Sequence, residues 1–237
     1  MVFEQSADEV RKEHLEKLGA QLDPVFSELI DDVAWLQVKW AEYRQLYGTS
    51  PDRIDLLNSA AGLFFRILHD TLWEDALLHL CRLTDQAEMG GKQNLSIQGL
   101  PELCADPNLR EEVAALVAKA IEAASFARDW RNRRIGHRDL ALALNPSTRP
   151  LAAASRAQVS AAIAAIHRVL NEISERLLDT TLADDVLTPD TGAEALLYVL
   201  RDGVDAEAAR RERFRSGTFT LDDLRHDTAR AAADAER

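Results

Sequence analysis

Residues 23–48 read DPVFSELIDDVAWLQVKWAEYRQLYG, and this stretch sets the pattern that the rest of the chain follows. Its apolar side chains recur at steps of three and four, the spacing that places residues on one face of an α-helix. Asp23 is a favoured capping residue, Pro24 suits the first helical turn, and Gly48 suits the position just after a helix. The stretch predicts a long amphipathic helix that begins at Asp23-Pro24 and ends at Gly48. The apolar row consists of Phe26, Leu29, Ile30, Val33, Leu36, Trp40, Tyr43 and Tyr47.

The flanking sequence repeats this helical pattern. A short charged helix is expected at about residues 7–18, and longer helices at about residues 50–83, 107–130, 155–177 and 191–215. The longer helices begin at prolines or at capping boxes such as Ser-x-x-Gln and Thr-x-x-Glu, both typical of helix starts. The chain is therefore expected to be helical over most of its length.

The segment between the second and third long helices has a different composition. Gly90-Gly91, Gly99 and Pro101 favour turns, so residues 85–106 are expected to form a loop with one short helix near residues 100–104. No run of alternating apolar and polar residues is long enough to predict a strand. Long amphipathic helices joined by short or moderate loops predict an all-α fold, an up-and-down helical bundle.

The bundle is expected to occupy residues 23–180. Residues 1–22 would form an N-terminal helical extension, and residues 181–237 a C-terminal charged helical extension. The tryptophans lie on these helices and have two interpretations: aromatic rings can stack on nucleic-acid bases, but at helical spacing they are more typical of a core or an interface. They are Trp35, Trp40, Trp73 and Trp130.

The composition argues against several classes of protein. A formal net charge of −12 is unsuited to coating nucleic acid, because such binding relies on many Lys and Arg side chains. Cys81 and Cys104 form no C-x-x-C pair, and the H-E-x-x-H and P-loop patterns are absent, so we expect no metal site and no cofactor. The first 22 residues lack the apolar core of a secretory signal, and no stretch approaches 18 uncharged apolar residues. We therefore expect a cytoplasmic protein with no membrane association.

Residues 128–138 reverse the sign of the overall charge. They carry five arginines against Asp129 alone, a formal charge of +4 without His137. Guanidinium groups suit phosphate oxygens, and a histidine can exchange a proton near neutrality. RNA carries its own nucleophile, the 2′-hydroxyl, so proton transfer and positive charge suffice for its cleavage. The same segment also has a simpler interpretation as a helix end, with Gly136 at the C′ position and the basic side chains meeting the helix dipole.

Two parts of the chain resemble a known family. Arg131 is followed directly by Asn132, and five residues separate Arg131 from His137. This arrangement looks like the Arg-polar…His motif of HEPN proteins, placed at the end of a long bundle helix. The stretch 80–85, LCRLTD, with Asn94 to Ile97 after it, is similar to the abortive-infection (AbiU-like) branch, in which an RL-x-D element precedes a loop. Together these parts cover roughly residues 23–180.

This resemblance implies a ribonuclease that acts as a toxin or antiphage defence effector on an RNA substrate. In the family, two subunits form a homodimer whose Arg and His side chains meet in one composite site. Arg131 would stabilise the scissile phosphate, His137 would act as general acid or base, and Asn132 would orient the loop or a phosphate. The remaining arginines of the segment are either RNA-backbone contacts or surface charges, and the motif does not decide which. They are Arg133, Arg134 and Arg138.

The family also includes members without activity, so a second hypothesis is a non-catalytic helical module that dimerises or binds a nucleotide or a partner. Other members require an antitoxin, and an antitoxin or defence protein is therefore a possible partner here. The enzyme hypothesis predicts that Arg131 and His137 face an open cleft. The module hypothesis predicts that they are held in ion pairs within the chain, for example with Asp139 or Glu122.

Overall fold

The structure, a computed structural model, describes residues 7–145, 147, 150–184 and 191–225, with side chains described from residue 12 onward. The described chain is all-α apart from one short hairpin, which confirms the predicted fold class. The helices are α1 (Ala7–Tyr47), α2 (Pro51–Thr84), α3 (Leu100–Leu103), α4 (Pro107–Ala123), α5 (Ser125–Trp130), α6 (Leu140–Leu144), α7 (Arg156–Ile173) and α8 (Ala193–Ser216). Two π-helical turns, π1 (Arg131–Ile135) and π2 (Ser174–Leu178), follow α5 and α7, and a 3₁₀ turn spans Ile97–Gly99.

Helix α1 covers two helices that the sequence pattern predicts as separate elements. Its backbone breaks at Gly19, with φ 80° and ψ 161°, a conformation that residues with a Cβ rarely adopt. The chain is helical on both sides of this glycine, so the predicted start at Asp23-Pro24 is wrong and Pro24 lies inside the helix. The predicted end is confirmed: α1 stops at Tyr47, and the amide of Gly48 donates to the Arg44 carbonyl at 2.7 Å.

Two other predicted helices contain a break. Helix α2 begins at Pro51 as predicted, but Ala61 is non-helical, with φ −161° and ψ 66°. Phe64, which follows this break, is 60% exposed. The predicted helix over residues 107–130 is divided at Ala124, where α4 ends and α5 begins.

The predicted helix starts have mixed outcomes. Ser155 caps α7 as expected, since its hydroxyl accepts from the Gln158 amide at 3.2 Å. The Thr191 capping box predicted for α8 is wrong, because the N-cap position belongs to Gly192, which has no side chain to cap the helix.

The loop after α2 contains a hairpin that the pattern did not predict. Strands β1 (Glu88–Met89) and β2 (Lys92–Gln93) are antiparallel, and Gly90 and Gly91 join them with positive φ angles of 61° and 75°. Two successive residues with positive φ match a type I′ turn, which suits the twist of a tight hairpin. The strands are too short to produce an alternating pattern in the sequence.

The described chain divides into two compact units. The first contains the described part of residues 7–43 and 69–184, and α4 packs along α7 within it. Its core consists of fully buried apolar side chains, each of which stabilises the fold by about 1.5–3 kcal/mol. They include Phe26, Leu29, Leu77, Leu80, Ile97, Leu100, Val113, Val159 and Ile166.

The second unit contains residues 44–68 and 191–225. The Tyr47 hydroxyl donates to the Phe65 carbonyl at 2.9 Å, and an Arg53–Glu194 ion pair of 3.0 Å joins its two segments. Several large apolar side chains of this unit are exposed, namely Leu63, Phe64, Ile67, Tyr198, Val199 and Leu221. The division of the chain at residues 22 and 180 stays a prediction.

Candidate active site

The segment that carries the motif leaves helix α5 through π1. The amide of Gly136 donates to the Arg131 carbonyl at 2.7 Å, which closes a wide turn of five residues. Gly136 itself is right-handed, with φ −76°, so it is not the left-handed C′ glycine of the helix-end interpretation. A Cβ at this position would lie 3.0 Å from the Arg131 carbonyl oxygen. Close backbone approach is therefore the reason a glycine fits here.

The Arg131 guanidinium is oriented from two sides. Its Nη1 donates to both carboxylate oxygens of Asp85, at 2.8 and 2.6 Å, and its Nε donates to Asn132 Oδ1 at 3.1 Å. Among the described residues, Nη2 has no hydrogen-bond partner. The group is thus held in place with one donor face left over. The Asn132 side chain therefore contacts the guanidinium of Arg131, and its predicted role in orienting the loop or a phosphate stays a prediction.

The carboxylate that holds Arg131 belongs to the other part of the family resemblance. Asp85 directly follows α2, and the end of this helix is tied to α5: Arg128 Nη2 donates to the carbonyl of Thr84 and lies 3.2 Å from its hydroxyl. Gln98 donates to the same carbonyl at 2.8 Å, and the Ser96 hydroxyl lies 3.2 Å from the Leu83 carbonyl. The RL-x-D element and the Arg-Asn…His segment therefore meet in space.

His137 lies just beyond π1 and is exposed. Its imidazole makes no hydrogen bond or ion pair with any residue that the structure describes. The module hypothesis names Asp139 and Glu122 as partners, and neither pairs with Arg131. Asp139 caps α6 and lies 3.8 Å from Arg133, and Glu122 is exposed on α4. The module hypothesis expects ion pairs for both side chains. Arg131 does form one, but with Asp85, whereas His137 forms none with the described residues.

The three other arginines of the segment have different environments. Arg133 is only 9% exposed and contacts Asp129 at 3.4 Å, Asp139 at 3.8 Å and the Pro150 carbonyl at 3.2 Å. Its burial favours a structural role over an RNA contact. Arg134 lies over the Trp130 ring, with Cζ 5.7 Å from the centroid, and 3.6 Å from Glu74.

Arg138 is exposed and makes no ion pair with any described residue. Together with Arg134 it lines a cleft of about 560 Å³, whose other walls include Leu142 and Leu151. Arg133 also lines this cleft, but Arg134 and Arg138 are the exposed arginines of the three.

A neighbouring cleft of about 600 Å³ has the opposite charge. It is lined by Asp85, by Arg82 and the exposed Trp35, and by further carboxylates that include Asp31 and Asp32. Within the described ranges, no three or more His, Cys, Asp or Glu side chains are grouped so that they could hold a metal ion.

Two buried titratable groups lie on α2 beside these clefts. Burial raises the pKa of the Cys81 thiol to about 11, against the opposing influence of Arg131. Burial likewise lowers the pKa of His79, whose Nε2 lies 3.0 Å from Asp32 Oδ1. Cys81 and Cys104 are free, buried thiols.

Sequence reasoning quoted Asp85 but assigned it no role. The sign that would have identified it is its position directly after a buried helix end, because a lone carboxylate there needs a cationic partner. Such a partner lies in the basic stretch of residues 128–138.

Comparison with known proteins identifies the family of this fold. The AbiU2 family model, a branch of HEPN domains, matches residues 19–196, which is well over half of the chain and encloses the predicted bundle. No curated protein and no solved structure matches. No described helix is both long and apolar enough to cross a membrane. On the strength of the family match, this chain belongs to the HEPN AbiU2 family.

Proposed function

We propose that this protein is an endoribonuclease that cleaves RNA without a metal ion, with Arg131 and His137 as its catalytic residues. The observation that carries the proposal is the contrast between the two side chains. Arg131 is fixed by Asp85 and Asn132 with Nη2 left over, and His137 is exposed with no partner among the described residues. A positioned cation and an accessible proton carrier are what this cleavage requires.

In the proposed reaction, the RNA 2′-oxygen attacks the adjacent phosphorus and the bond to the 5′-oxygen breaks. The 2′-hydroxyl loses a proton to a base, and the leaving 5′-oxygen gains one from an acid. The products are a 2′,3′-cyclic phosphate and a free 5′-hydroxyl. His137 performs one of these proton transfers, and Arg131 stabilises the extra negative charge on the phosphoryl oxygens.

We further propose that the enzyme is a homodimer. One chain supplies one such histidine, whereas the reaction has two proton transfers, and His137 of the partner subunit would perform the second. Asp85 and Asn132 act as positioning residues for the guanidinium, and Arg134 and Arg138 contact the RNA backbone. Arg133 stabilises the segment through its buried ion pairs.

The cellular role that fits this activity is that of a toxin or antiphage defence effector in the cytoplasm. Membership of an abortive-infection family supports this role, since such an effector acts by damaging the RNA of its own cell. An uncontrolled ribonuclease would harm its host, so we propose that an antitoxin or another defence protein restrains it.

A second candidate function is a non-catalytic helical module that dimerises or binds a nucleotide or a partner protein. One observation favours it: the Asp85 carboxylate neutralises the charge of Arg131 at 2.6 Å. If this ion pair persists when RNA is present, the arginine contributes little to phosphate binding.

Cleavage assays separate the two candidates. Purified full-length protein is incubated with tRNA, ribosomal RNA and messenger RNA in the presence of EDTA, and the new ends are analysed. We expect products with 2′,3′-cyclic phosphate ends from the wild type, and a rate at least about a hundredfold lower for His137→Ala. His14→Ala, a histidine outside the candidate site, serves as the matched control and should cleave normally.

Expression in cells gives an independent measure of the same proposal. The wild type and His14→Ala should slow growth, and His137→Ala should not. If the folded wild type leaves every RNA intact and His137→Ala is as toxic as the wild type, the module is the correct function.

A further inference from the structure

A third cleft shares Arg134 with the cleft that contains Arg138. Its volume is about 420 Å³, within the range of small-molecule sites, and every residue that lines it belongs to the first unit. Arg134 and Glu74 line both clefts, so the two are continuous along the motif segment. The third cleft is lined by Tyr43, His69, Trp73, Trp130, Arg134 and Arg156, among others.

One wall of this cleft is a cluster of aromatic rings. Trp73 packs against Tyr43 at a centroid distance of 5.9 Å and meets Trp130 edge-on at 6.3 Å. Behind them, Trp40 stacks on Tyr43 at 4.9 Å and is buried. Trp73 and Trp130 are only partly buried, so the cluster presents aromatic surface to the cleft and is supported from behind.

Hydrogen bonds orient Trp130 and the Tyr43–His69 pair of this wall. The Trp130 indole nitrogen donates to the Ala152 carbonyl at 2.9 Å. His69 Nε2 lies 2.9 Å from the Tyr43 hydroxyl, and Nδ1 lies 3.0 Å from Asp70. A rigid aromatic surface loses little conformational freedom when a flat ring binds to it.

Cations and hydrogen-bonding groups surround this aromatic wall. Arg134 lies over Trp130, and Arg156 is the first residue of α7. Asp70 and Glu74 supply carboxylate acceptors, which suit the amino and imino groups of a base edge. A nucleotide offers a phosphate, a flat base and the hydrogen-bonding edge of that base, and the cleft contains a complementary group for each.

We propose that this cleft binds one nucleotide of single-stranded RNA, with its base against Trp73 and Trp130 and its phosphates near Arg134 and Arg156. The inference rests on the proposed function, since it names this nucleotide as one that flanks the cleaved bond. The aromatic cluster then has a role beyond the core packing that helical spacing alone indicates. Substrate RNA would be single-stranded at this position, because a paired base cannot enter the cleft.

The test measures binding separately from cleavage. Full-length protein carrying His137→Ala, which is expected not to cleave, is titrated into a fluorescein-labelled 12-nucleotide oligoadenylate, and affinity is measured by fluorescence anisotropy. We expect Trp73→Leu and Arg156→Ala each to weaken binding about tenfold in this background. Trp35→Leu, an exposed tryptophan of the acidic cleft, and Arg168→Ala, an exposed arginine of α7, are the matched controls and should change affinity less than twofold.

Arg156→Ala keeps the test valid if Trp73→Leu does not fold, because an exposed residue at a helix start is tolerant of substitution. AMP should also quench the tryptophan fluorescence of the wild type, and less so that of Trp73→Leu. If folded Trp73→Leu and Arg156→Ala both bind the oligoadenylate like their controls, the inference is overturned, whether or not RNA is cleaved.

The outcomes separate this inference from the proposed function. If Trp73→Leu and Arg156→Ala cleave RNA normally and bind the oligoadenylate with unchanged affinity, the proposal of a nucleotide-binding cleft is wrong and the proposed ribonuclease stands. If both variants bind the oligoadenylate more weakly but the wild type cleaves no RNA, the proposed ribonuclease is wrong and the cleft is a nucleotide-binding site of the module.

Discussion

The two π-helical turns of the first unit have the same backbone form but different side chains. Both turns span five residues and end a helix: π1 follows α5, and π2 follows α7. After π1, Gly136 remains right-handed and the chain continues to the exposed His137. After π2, Asp179 turns the chain with a left-handed φ of 56°, an ordinary way to end a helix. π-helical turns are frequent at functional sites, but the comparison shows that the backbone alone does not mark one.

The charges of the two turns also have different partners. In π2, Arg176 pairs with the exposed Glu112 at 3.2 Å and the half-buried Glu172 at 4.0 Å, which lie on helices that pack together. In π1, the Arg131 guanidinium is held by a partly buried Asp85 and by Asn132. Arg176 therefore stabilises the packing of two helices, whereas Arg131 is oriented at a partly exposed position in the same segment as the exposed His137.

The largest expected difference between the turns is in catalysis. Arg131→Ala should lower the rate of RNA cleavage by about a hundredfold or more, because it removes the cation nearest the proposed reaction. Arg176→Ala, the matched change in π2, should leave the rate unchanged and lower stability by less than about 1 kcal/mol. Initial rates on a labelled RNA and urea unfolding of both variants give the two quantities. Equal loss of activity in the two variants would contradict the distinction between the turns.

Asp85→Asn tests whether the ion pair positions or only neutralises Arg131. The amide keeps the shape of the side chain but weakens its hold on the guanidinium, so we expect cleavage about tenfold slower. Unfolding should be easier by about 1–3 kcal/mol, because a partly buried cation loses its charged partner. Asp31→Asn, an exposed carboxylate of the acidic cleft, is the control for removal of one charge. Faster cleavage by Asp85→Asn would mean that the carboxylate inhibits the enzyme.

The sequence predicted the helical elements more accurately than their interruptions. Apolar periodicity identified the helices because burial of one face governs their packing, and it located the C-terminal end of α1 and the start of α7. An interruption between residues 18 and 23 was predicted, but the structure confines it to Gly19. The breaks at Ala61 and Ala124 were missed, because each depends on a local backbone conformation that leaves the periodic pattern intact.

For the site, the local sequence indicated the residue types but not their partners. The basic segment gave Arg131 and His137 as candidates, and the structure adds that Asp85, 46 positions earlier, holds the arginine. Arg133 and Arg134 are adjacent in sequence, yet one is buried and the other exposed. Neither contacts over long sequence separations nor the side on which a π-helical residue lies can be obtained from spacing rules based on 3.6 residues per turn.

Gly136→Ala should have a smaller effect than Arg131→Ala or Asp85→Asn, and it acts through the geometry of π1. The added Cβ would lie 3.0 Å from the Arg131 carbonyl, so the turn must open by a few tenths of an ångström. We expect a loss of about 1 kcal/mol in the free energy of unfolding, with a few-fold fall in cleavage as Arg131 shifts. Gly203→Ala in α8 has open space around the new Cβ and should raise stability by about 0.5–1 kcal/mol. Urea unfolding of both variants should therefore give changes of opposite sign.

The smallest expected effect belongs to π2. Ser174 is fully buried, and its hydroxyl has no hydrogen-bond partner among the described residues. An unpaired buried hydroxyl opposes folding, so Ser174→Ala should leave stability unchanged or raise it by about 1 kcal/mol, measured by urea unfolding. Cleavage should be unaffected, because this turn supplies no group to the proposed reaction. A large loss of stability would show that the hydroxyl has a partner, and π2 would then depend on a specific polar contact, as π1 does.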